Sequence, residues 1–299
     1  MENGYLNTGA SPIKMKTSEN TDRDKLNTKK RNKINKINKE SITTVLYPVL
    51  FGVFILVLWQ TQLLHKVLGA DTFTLPLPGR IVNIIFDNVP AVLKNVQATV
   101  IVSVSGLILG SVLGYLLGIV AMAFPKWGYG GISIASAFTA VPIVAIAPIL
   151  NNLTQDFSDD PNVRSMLAKM IVVMITCTVS MSINAYRGFT ELKPFSEDLM
   201  KSYAASKTTV FLKLRVPNSL PYVFTALRVS VPASIISALV SEYFAEYIIG
   251  VGRQIRESIV LAQYATAWAY ILVACVIGIL MYAILLIAEG VILKGRRNR

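Results

Sequence analysis

Few side chains in this sequence of 299 residues could carry out chemistry. His65 is the only histidine, and no Cys, Asp or Glu lies near it at the spacing of a metal-ligand set. Cys177 and Cys275 fall inside long apolar stretches, where we expect them to pack as small side chains. The G-x-x-x-x-G-K-S/T motif that binds nucleotide phosphates is absent from the sequence. We therefore predict no metal, no cofactor and no catalytic site, with His65 on a surface loop.

Six apolar stretches make up most of the chain, and each approaches the roughly 20 residues that a helix needs to cross a bilayer. Hydrophobic residues account for 53% of the sequence and charged residues for 15%, which excludes an ordinary soluble domain. The sequence therefore predicts an all-α integral membrane protein with about six transmembrane helices. We place the spans at 42–63, 96–123, 131–150, 168–185, 221–241 and 267–288.

The first stretch could be a signal peptide, because a basic region precedes it. An uncleaved transmembrane helix is favoured, because the basic region before it is long and no small-residue cleavage pattern follows Trp59. Residues 1–41 are rich in Lys, Asn, Ser and Thr and predict a disordered cytoplasmic tail. Its basic charge could contact anionic membrane lipid or could simply be solvated.

The net charge of +12 follows the predicted topology and does not indicate nucleic acid. Ten Lys and Arg lie in the N-terminal tail, six in the fourth loop and four after Glu289. The loops on the opposite side carry seven. Because positively charged segments resist translocation, both termini and the fourth loop are predicted to be cytoplasmic.

The predicted spans contain no Asp or Glu between their ends, and only Lys169 and Arg228 lie near a boundary. Carriers that couple to protons usually need carboxylates or histidines within the membrane. If this chain transports a solute uphill, the energy must therefore come from a partner protein. Asn184 and two prolines of the third span, Pro142 and Pro148, are candidates for a pathway, although the prolines could equally kink a structural helix.

Four glycines recur at every fourth residue of the second span: Gly106, Gly110, Gly114 and Gly118. This spacing places them on one helix face, where another backbone can approach closely. The partner could be a second copy of the chain, but a helix of the same chain is the favoured interpretation.

The fourth loop, about 186–220, has a pattern of its own. Apolar residues recur among polar ones, which predicts two short amphipathic helices that break near Ala204 and Ala205. Pro217 and Pro221 are expected to end the loop and start the fifth span. By composition alone the segment could be an ordinary charged surface loop.

This loop resembles the coupling loop of binding-protein-dependent ABC transporter permeases. In register, Asp198 matches the family's Glu, Ala204 its Gly, and Pro217 the proline thirteen residues later; Ala205 and Ser206 match the Ala-Ser pair that often follows the Gly.

The match has departures: Leu199 and Met200 replace two alanines, and Ala204 replaces the glycine. Since alanine takes a positive φ only at a cost, we expect the turn to differ there, with function kept if Ala204 has ordinary helical angles.

The resemblance covers about 45–295 and favours the branch associated with nitrate, sulfonate and taurine. It includes LPLPG at 75–79, NVQAT at 95–99, the proline pair, NAYRGF at 184–189 and SEYFAEYIIGVG at 241–252. It implies a permease domain over 42–295 in a bacterial cell membrane.

As partners, the resemblance implies an ATP-binding subunit, an extracytoplasmic solute-binding protein and a second permease copy, most simply a homodimer. The coupling residues carried over are Asp198, Ala204, Ala205, Ser206 and Lys207. A secondary carrier or channel working without ATP is the alternative, and a membrane-embedded enzyme is a weaker one. Glu242, on the outer side, would either meet the binding protein or end a helix.

Overall fold

The computed structural model describes residues 46–137, 148–150, 153–154, 160–244 and 249–297. Over these ranges the chain is helical, with turns between helices and no strand. The chain divides into two compact units, 1–69 and 70–299. Residues 1–41, the predicted tail, lie outside the described ranges.

The described part of the first unit consists of two helices, α1 (Leu46–Gln60) and α2 (Leu63–Leu68). α1 is apolar and covers 46–60 of the first predicted span, 42–63, of which 42–45 lie outside the described residues. His65 lies in α2 with 6% of its surface exposed, so the prediction of a surface loop was wrong. α2 ends at Gly69, whose φ of 62° lies in the left-handed region that favours glycine.

In the second unit, nine helices and a π-helical turn have described bounds, and a further helical piece is described at 148–150. In order they are α3 (Pro78–Asp87), α4 (Val89–Ala123), α5 (Pro125–Ala137), α6 (Pro161–Thr190), α7 (Ser196–Ser202), α8 (Lys207–Val210), the π-helical turn Phe211–Arg215, α9 (Val216–Phe244), α10 (Val251–Val260) and α11 (Tyr264–Arg297).

Within the described ranges, four segments are long and apolar enough to cross a membrane: Val89–Ala123, Val163–Thr190, Lys207–Phe244 and Tyr264–Leu293. They coincide with the second, fourth, fifth and sixth predicted spans, and the all-α membrane fold is confirmed. The third predicted span, 131–150, lies partly outside the described residues, as does Pro142. Pro148 is described, helical and exposed.

The predicted absence of carboxylates from the spans was wrong. The fifth span continues to Phe244 and contains Glu242, and the sixth continues to Leu293 and contains Glu289. Each lies one residue beyond the end that the apolar run suggested, because a helix continues until its backbone pairing ends and not until its hydropathy falls.

The boundary between the fourth loop and the fifth span also differs from the prediction. Helical structure runs without a break from Lys207 to Phe244, with Pro221 and Pro232 inside α9. The amide of Val216 donates to the carbonyl of Phe211, an i→i−5 hydrogen bond. This wide turn immediately precedes Pro217, which removes one N–H from the helical ladder, so the chain passes Pro217 without ending the helix.

The four glycines of α4 pack against α6 of the same chain. A Cβ atom added at Gly110 would lie 2.5 Å from the carbonyl oxygen of Met174, and one at Gly114 would lie 2.5 Å from that of Thr178. Additions at Gly106 and Gly118 would meet side chains of α6 at 2.5 and 2.8 Å. The close approach of α4 and α6 therefore requires residues without side chains.

The core lies where α4, α6 and α9 meet. Cys177 is fully buried in this core, with Val102, Val173 and Phe224 around it. Cys177 thus packs as predicted, whereas Cys275 is exposed on α11. A second apolar cluster joins α9, α10 and α11 through Ile235, Val251 and Val273.

We predict that Gly110→Ala destabilises the bundle. The added methyl group would meet backbone of α6, and overpacking of this kind costs about 1–3 kcal/mol. The apparent Tm of the protein in lipid nanodiscs should fall. Gly290→Ala is the matched control, because a Cβ at Gly290 in α11 meets nothing within 4 Å. Equal Tm values for the two variants would contradict the packing argument.

Candidate functional site

The loop between α6 and α9 makes a tight turn at Ala204, between the short helices α7 and α8. The amide of Ala204 donates to the carbonyl of Lys201 at 2.8 Å, and that of Ala205 donates to Met200 at 3.0 Å. These two bonds close a Schellman turn, which needs a left-handed residue at its centre. Ala204 supplies it with a φ of 48°, so the turn keeps a glycine-type conformation although alanine occupies the position.

Ser206 and Lys207 begin α8. The Ser206 hydroxyl accepts a hydrogen bond from the amide of Thr209 at 3.2 Å and lies 2.8 Å from the Thr209 hydroxyl. Ser206 is therefore the N-cap of α8. Lys207 is exposed, and Ala205 between turn and cap is partly exposed.

Both ends of the loop are tied to the membrane helices. The Arg215 guanidinium donates to the carbonyl of Phe189 at 2.7 Å and forms an ion pair with Glu197 of α7. The Asn218 amide donates to the carbonyls of Gly188 and Glu191 at 2.9 and 3.0 Å. The end of α6, α7 and the start of α9 are thus held together by charge-assisted and neutral hydrogen bonds.

Glu191 forms a further link between the end of α6 and α9, besides those of Arg215 and Asn218. Its carboxylate accepts hydrogen bonds from Arg187 at 2.9 Å and from the Tyr222 hydroxyl at 3.0 Å. The bond from Arg187, followed by that from Tyr222, lowers the pKa of Glu191 below its ordinary value. The link is therefore present in the ionised form.

An aromatic cluster supports the loop from the membrane side. Phe189 is fully buried, with its ring centre 5.2 Å from that of Tyr115 on α4 and 5.9 Å from that of Phe211. The Tyr115 hydroxyl lies 3.0 Å from the Ser219 hydroxyl. A displacement of the loop would therefore be transmitted to α4 as well as to α6 and α9.

The outer surface of the loop exposes apolar side chains. Tyr203 is 78% exposed and Leu199 is 59% exposed, and Phe195 and Leu212 are exposed nearby. Asp198 pairs only with Lys201 of its own helix among described residues, at 3.3 Å, and both side chains are exposed. Large exposed apolar side chains bordered by charges are typical of a protein interface.

A second site lies near the opposite end of the helices, around the buried carboxylate of Glu242. One carboxylate oxygen, Oε2, accepts hydrogen bonds from the Thr99 hydroxyl and the Gly252 amide, both at 2.9 Å. The Gly250 amide donates to Asn95 Oδ1 and the Val251 amide to Thr99 Oγ1, each at 2.9 Å. Side chains of α4 and α9 thus receive three consecutive backbone amides at the start of α10.

Gly250 and Gly252 are required at this site by close approach. A Cβ atom at Gly250 would lie 2.5 Å from the Glu242 carboxyl carbon, and one at Gly252 would lie 2.2 Å from the Leu239 carbonyl oxygen. The carboxylate fills the space that a side chain would need.

Lys169 is a second buried ionisable side chain near Glu242. It lies on α6 and is 3% exposed, within electrostatic range of Glu242, but no ion pair joins the two among the described residues, and the Glu242 oxygen Oε1 has no described hydrogen-bond partner. Glu242 is fully buried and so does not face outward, and the alternative that it meets a binding protein was wrong. The sequence signal for this buried site was the glycine pair Gly250 and Gly252, because such glycines often mark a close approach of the backbone to another group.

The remaining candidates do not form a site in the described structure. The Asn184 amide donates to the carbonyl of Ser180 in its own helix at 2.9 Å, and Pro142 is not described. Among described residues, no three His, Cys, Asp or Glu side chains cluster as metal ligands.

Comparisons with known proteins agree on one class. The family model "Binding-protein-dependent transport system inner membrane component" matches residues 106–294. The formylaminopyrimidine transport permease protein ThiX of Halalkalibacterium halodurans is 27% identical over 262 residues, 85% of this chain and 97% of that protein. The bicarbonate transport system permease protein CmpB of Synechococcus elongatus is 27% identical over 85 residues, 28% of this chain and 31% of that protein.

One solved structure, the crystal structure of an amino acid ABC transporter with histidines, aligns with a TM-score of 0.56. The alignment covers 69% of this chain and 96% of that one at 13% identity, so the similarity is one of fold.

We predict that Ala204→Gly stabilises the loop. Releasing alanine from the left-handed region gains about 1–2 kcal/mol, of which the greater chain entropy of glycine removes about 0.5–1 kcal/mol. Hydrogen exchange of the amides of α7 and α8 should slow. Ala205→Gly, one position further and without a positive φ, is the control and should speed the exchange. Faster exchange in both variants would show that Ala204 is unstrained.

We also predict that Lys169→Met is more harmful alone than in combination with Glu242→Gln. Removing one of two interacting buried opposite charges costs about 3–5 kcal/mol, whereas replacing both charges is often nearly neutral. The Tm in nanodiscs should fall with the single change and recover in the double variant. Lys193→Met, at an exposed lysine of the fourth loop, is the control. An additive loss of stability would mean that the two charges do not interact.

Proposed function

The chain belongs to the family of binding-protein-dependent transport system inner membrane components, and from this we propose that it forms the solute pathway of an ATP-driven importer. The family consists of ABC importer permeases, which are multi-pass membrane proteins and not enzymes. In the proposal, a separate ATPase binds on the cytoplasmic side and an extracytoplasmic protein delivers the solute.

The structure of the fourth loop is the main observation that supports this proposal. Its outer surface presents Leu199 and Tyr203 to solvent, while Arg215 and Asn218 fasten it to α6 and α9. A loop with only a connecting role needs neither property. An exposed apolar surface that is held firmly to the membrane helices suits a partner that must push or pull those helices.

Ala205 and Lys207 lie at the centre and edge of the proposed contact. Ala205 follows the turn and has no long side chain, which would allow a partner groove to approach the start of α8. Lys207 would contribute a charge at the rim of that contact. Asp198 and Lys201 neutralise each other on the neighbouring helix.

A pair of copies would enclose the pathway. Arg228 of α9 forms a bidentate ion pair with Glu289 of α11, with both N···O distances at 2.8 Å, yet the Arg228 side chain is 50% exposed within the chain. Charged groups within a span face protein or water and not lipid. This supports placing the exposed side of α9 against a water-filled pathway beside a second copy, with lipid elsewhere around the chain.

The energy would come from the ATPase. Glu242 and Lys169 are buried charges within spans, but Glu242 is already bonded to Thr99 and the start of α10. This arrangement has the features of a structural anchor, so the proposal requires no proton step.

We predict that Ala205→Glu disconnects the ATPase without harming the membrane fold. A charge buried unpaired in the contact would cost about 2–5 kcal/mol, and tenfold in affinity corresponds to about 1.4 kcal/mol. Copurification of the ATPase should fall at least about tenfold and ATP-driven uptake into vesicles should be lost, with normal membrane expression.

Ala205→Ser provides the control, because it changes the same position without adding a charge or much volume, and it should retain copurification and uptake. Normal uptake by Ala205→Glu would show that the loop is not the coupling element. Uptake driven by a pH gradient without nucleotide would contradict the importer proposal and favour a secondary carrier.

A further inference from the structure

A polar cleft of about 370 Å³ opens where α3, α4, α10 and α11 meet. It lies at the end of the bundle that our predicted topology places outside the cell. Seven of its twelve lining side chains are polar: Asn88, Gln254, Glu257, Ser258, Gln263, Thr266 and Tyr270. Its volume is within the range of small-molecule sites, about 300–1,000 Å³.

Several of these polar groups make no hydrogen bond within the described structure. Ser258 is 4% exposed and Tyr270 is 6% exposed, so both lie deep in the walls. The Tyr270 hydroxyl accepts a long bond of 3.4 Å from the Asn95 amide and donates to no described residue. The hydroxyls of Ser258 and Thr266 have no described partner, and Thr266 is only partly buried. The hydrogen-bonding capacity of these groups is therefore open to water or to a polar occupant of the cleft.

Glu257 supplies the only charge among the described lining residues. Its carboxylate oxygens lie 4.0 Å from the Arg253 guanidinium and 3.5 Å from the Gln254 amide. Both distances are at the outer limit of an ion pair or hydrogen bond, so neither neighbour binds the carboxylate tightly. An N–H group in the cleft could take their place.

The rest of the lining is apolar. Ile84, Val92 and Leu261 face the same space. A flat ring could pack against these side chains while its edge meets the hydroxyls, the amide of Gln263 and Glu257. A small inorganic anion would leave the apolar walls unused and would meet a carboxylate of the same sign.

We propose that this cleft binds the transported solute at the outer mouth of the permease, and that the solute is a small uncharged or cationic nitrogen heterocycle with N–H donors. The inference rests on the proposed function and adds a substrate class to it. The transported compound named for ThiX, a formylaminopyrimidine, belongs to this chemical class, whereas bicarbonate, named for CmpB, does not.

The cleft is joined to the Glu242 site by one side chain. Asn95 donates to Tyr270 in the cleft and accepts from the Gly250 amide at the start of α10. α10 also carries Ser258 and Glu257 into the cleft. A solute that engages Tyr270 and α10 would therefore act on the same contacts that hold α10 to α4.

Binding can be measured directly on the full chain in lipid nanodiscs by saturation-transfer NMR. Cytosine, neutral near pH 7, is the heterocyclic probe, and orotate, a pyrimidine carboxylate, is the matched anion. We expect transfer to cytosine and much less to orotate. Loss of one hydrogen bond corresponds to about a 3–10-fold weaker affinity, so Thr266→Val and Ser258→Ala should each reduce the cytosine signal severalfold.

Glu257→Gln tests the charge without altering the shape. It should raise the orotate signal relative to cytosine while Tm stays near that of the unaltered chain, since the Glu257 side chain is 47% exposed. Thr72→Val, at an exposed hydroxyl of the segment before α3, is the control and should leave both signals unchanged.

Equal transfer to the two probes, or cytosine signals unaffected by Thr266→Val and Ser258→Ala, would overturn the inference and identify a water-filled hollow. The outcome is independent of the proposed function, which is tested by ATPase copurification with Ala205→Glu. Copurification without cytosine binding would remove only the substrate class.

Discussion

The carboxylate of Glu242 has no solvent exposure, and what lies around it determines how three helices meet. A buried carboxyl group of this kind is tolerated when hydrogen bonds or an opposite charge offset its desolvation. The Thr99 hydroxyl and the Gly252 amide donate to one carboxylate oxygen, and the buried Lys169 places an opposite charge in the same region. These groups come from α4, from the start of α10 and from α6, so the Glu242 side chain of α9 joins elements of all three. The position of α10, and with it one wall of the polar cleft, depends on this arrangement.

Most of the fold was readable from the sequence. Long apolar runs predicted four spans that the structure describes, and the resemblance to ABC importer permeases is confirmed by the family match over 106–294. Helix ends were less predictable, because hydropathy reports where lipid begins whereas the backbone continues to pair beyond it. That difference concealed Glu242 and Glu289. Lys169 is 73 positions away from Glu242 on another helix, and no local pattern encodes their proximity.

The fourth loop shows a different limit of sequence reasoning. The pattern located the two short helices and the break near Ala204, but the identity of the residue suggested that the turn would change. The structure keeps the left-handed turn and places alanine in it, because two backbone hydrogen bonds and the Ser206 cap on the following helix favour this geometry over relaxed angles. Hydrogen bonds within the loop here outweigh the preference of a single residue, which is worth about 1–2 kcal/mol.

The contact between α4 and α6 also determines which parts of the protein can slide. With Gly110 and Gly114 directly on carbonyl groups of α6, a rotation of α4 by one residue position would turn Ser111 or Tyr115 against that backbone, where there is no space for a side chain. The two helices therefore behave as one rigid pair. Any change in the shape of the pathway must occur where this pair contacts α9 and α11. The fourth loop is fastened to the ends of α6 and α9 and so lies across the contact between them. A movement of this loop would tilt α4 and α6 together without displacing one against the other.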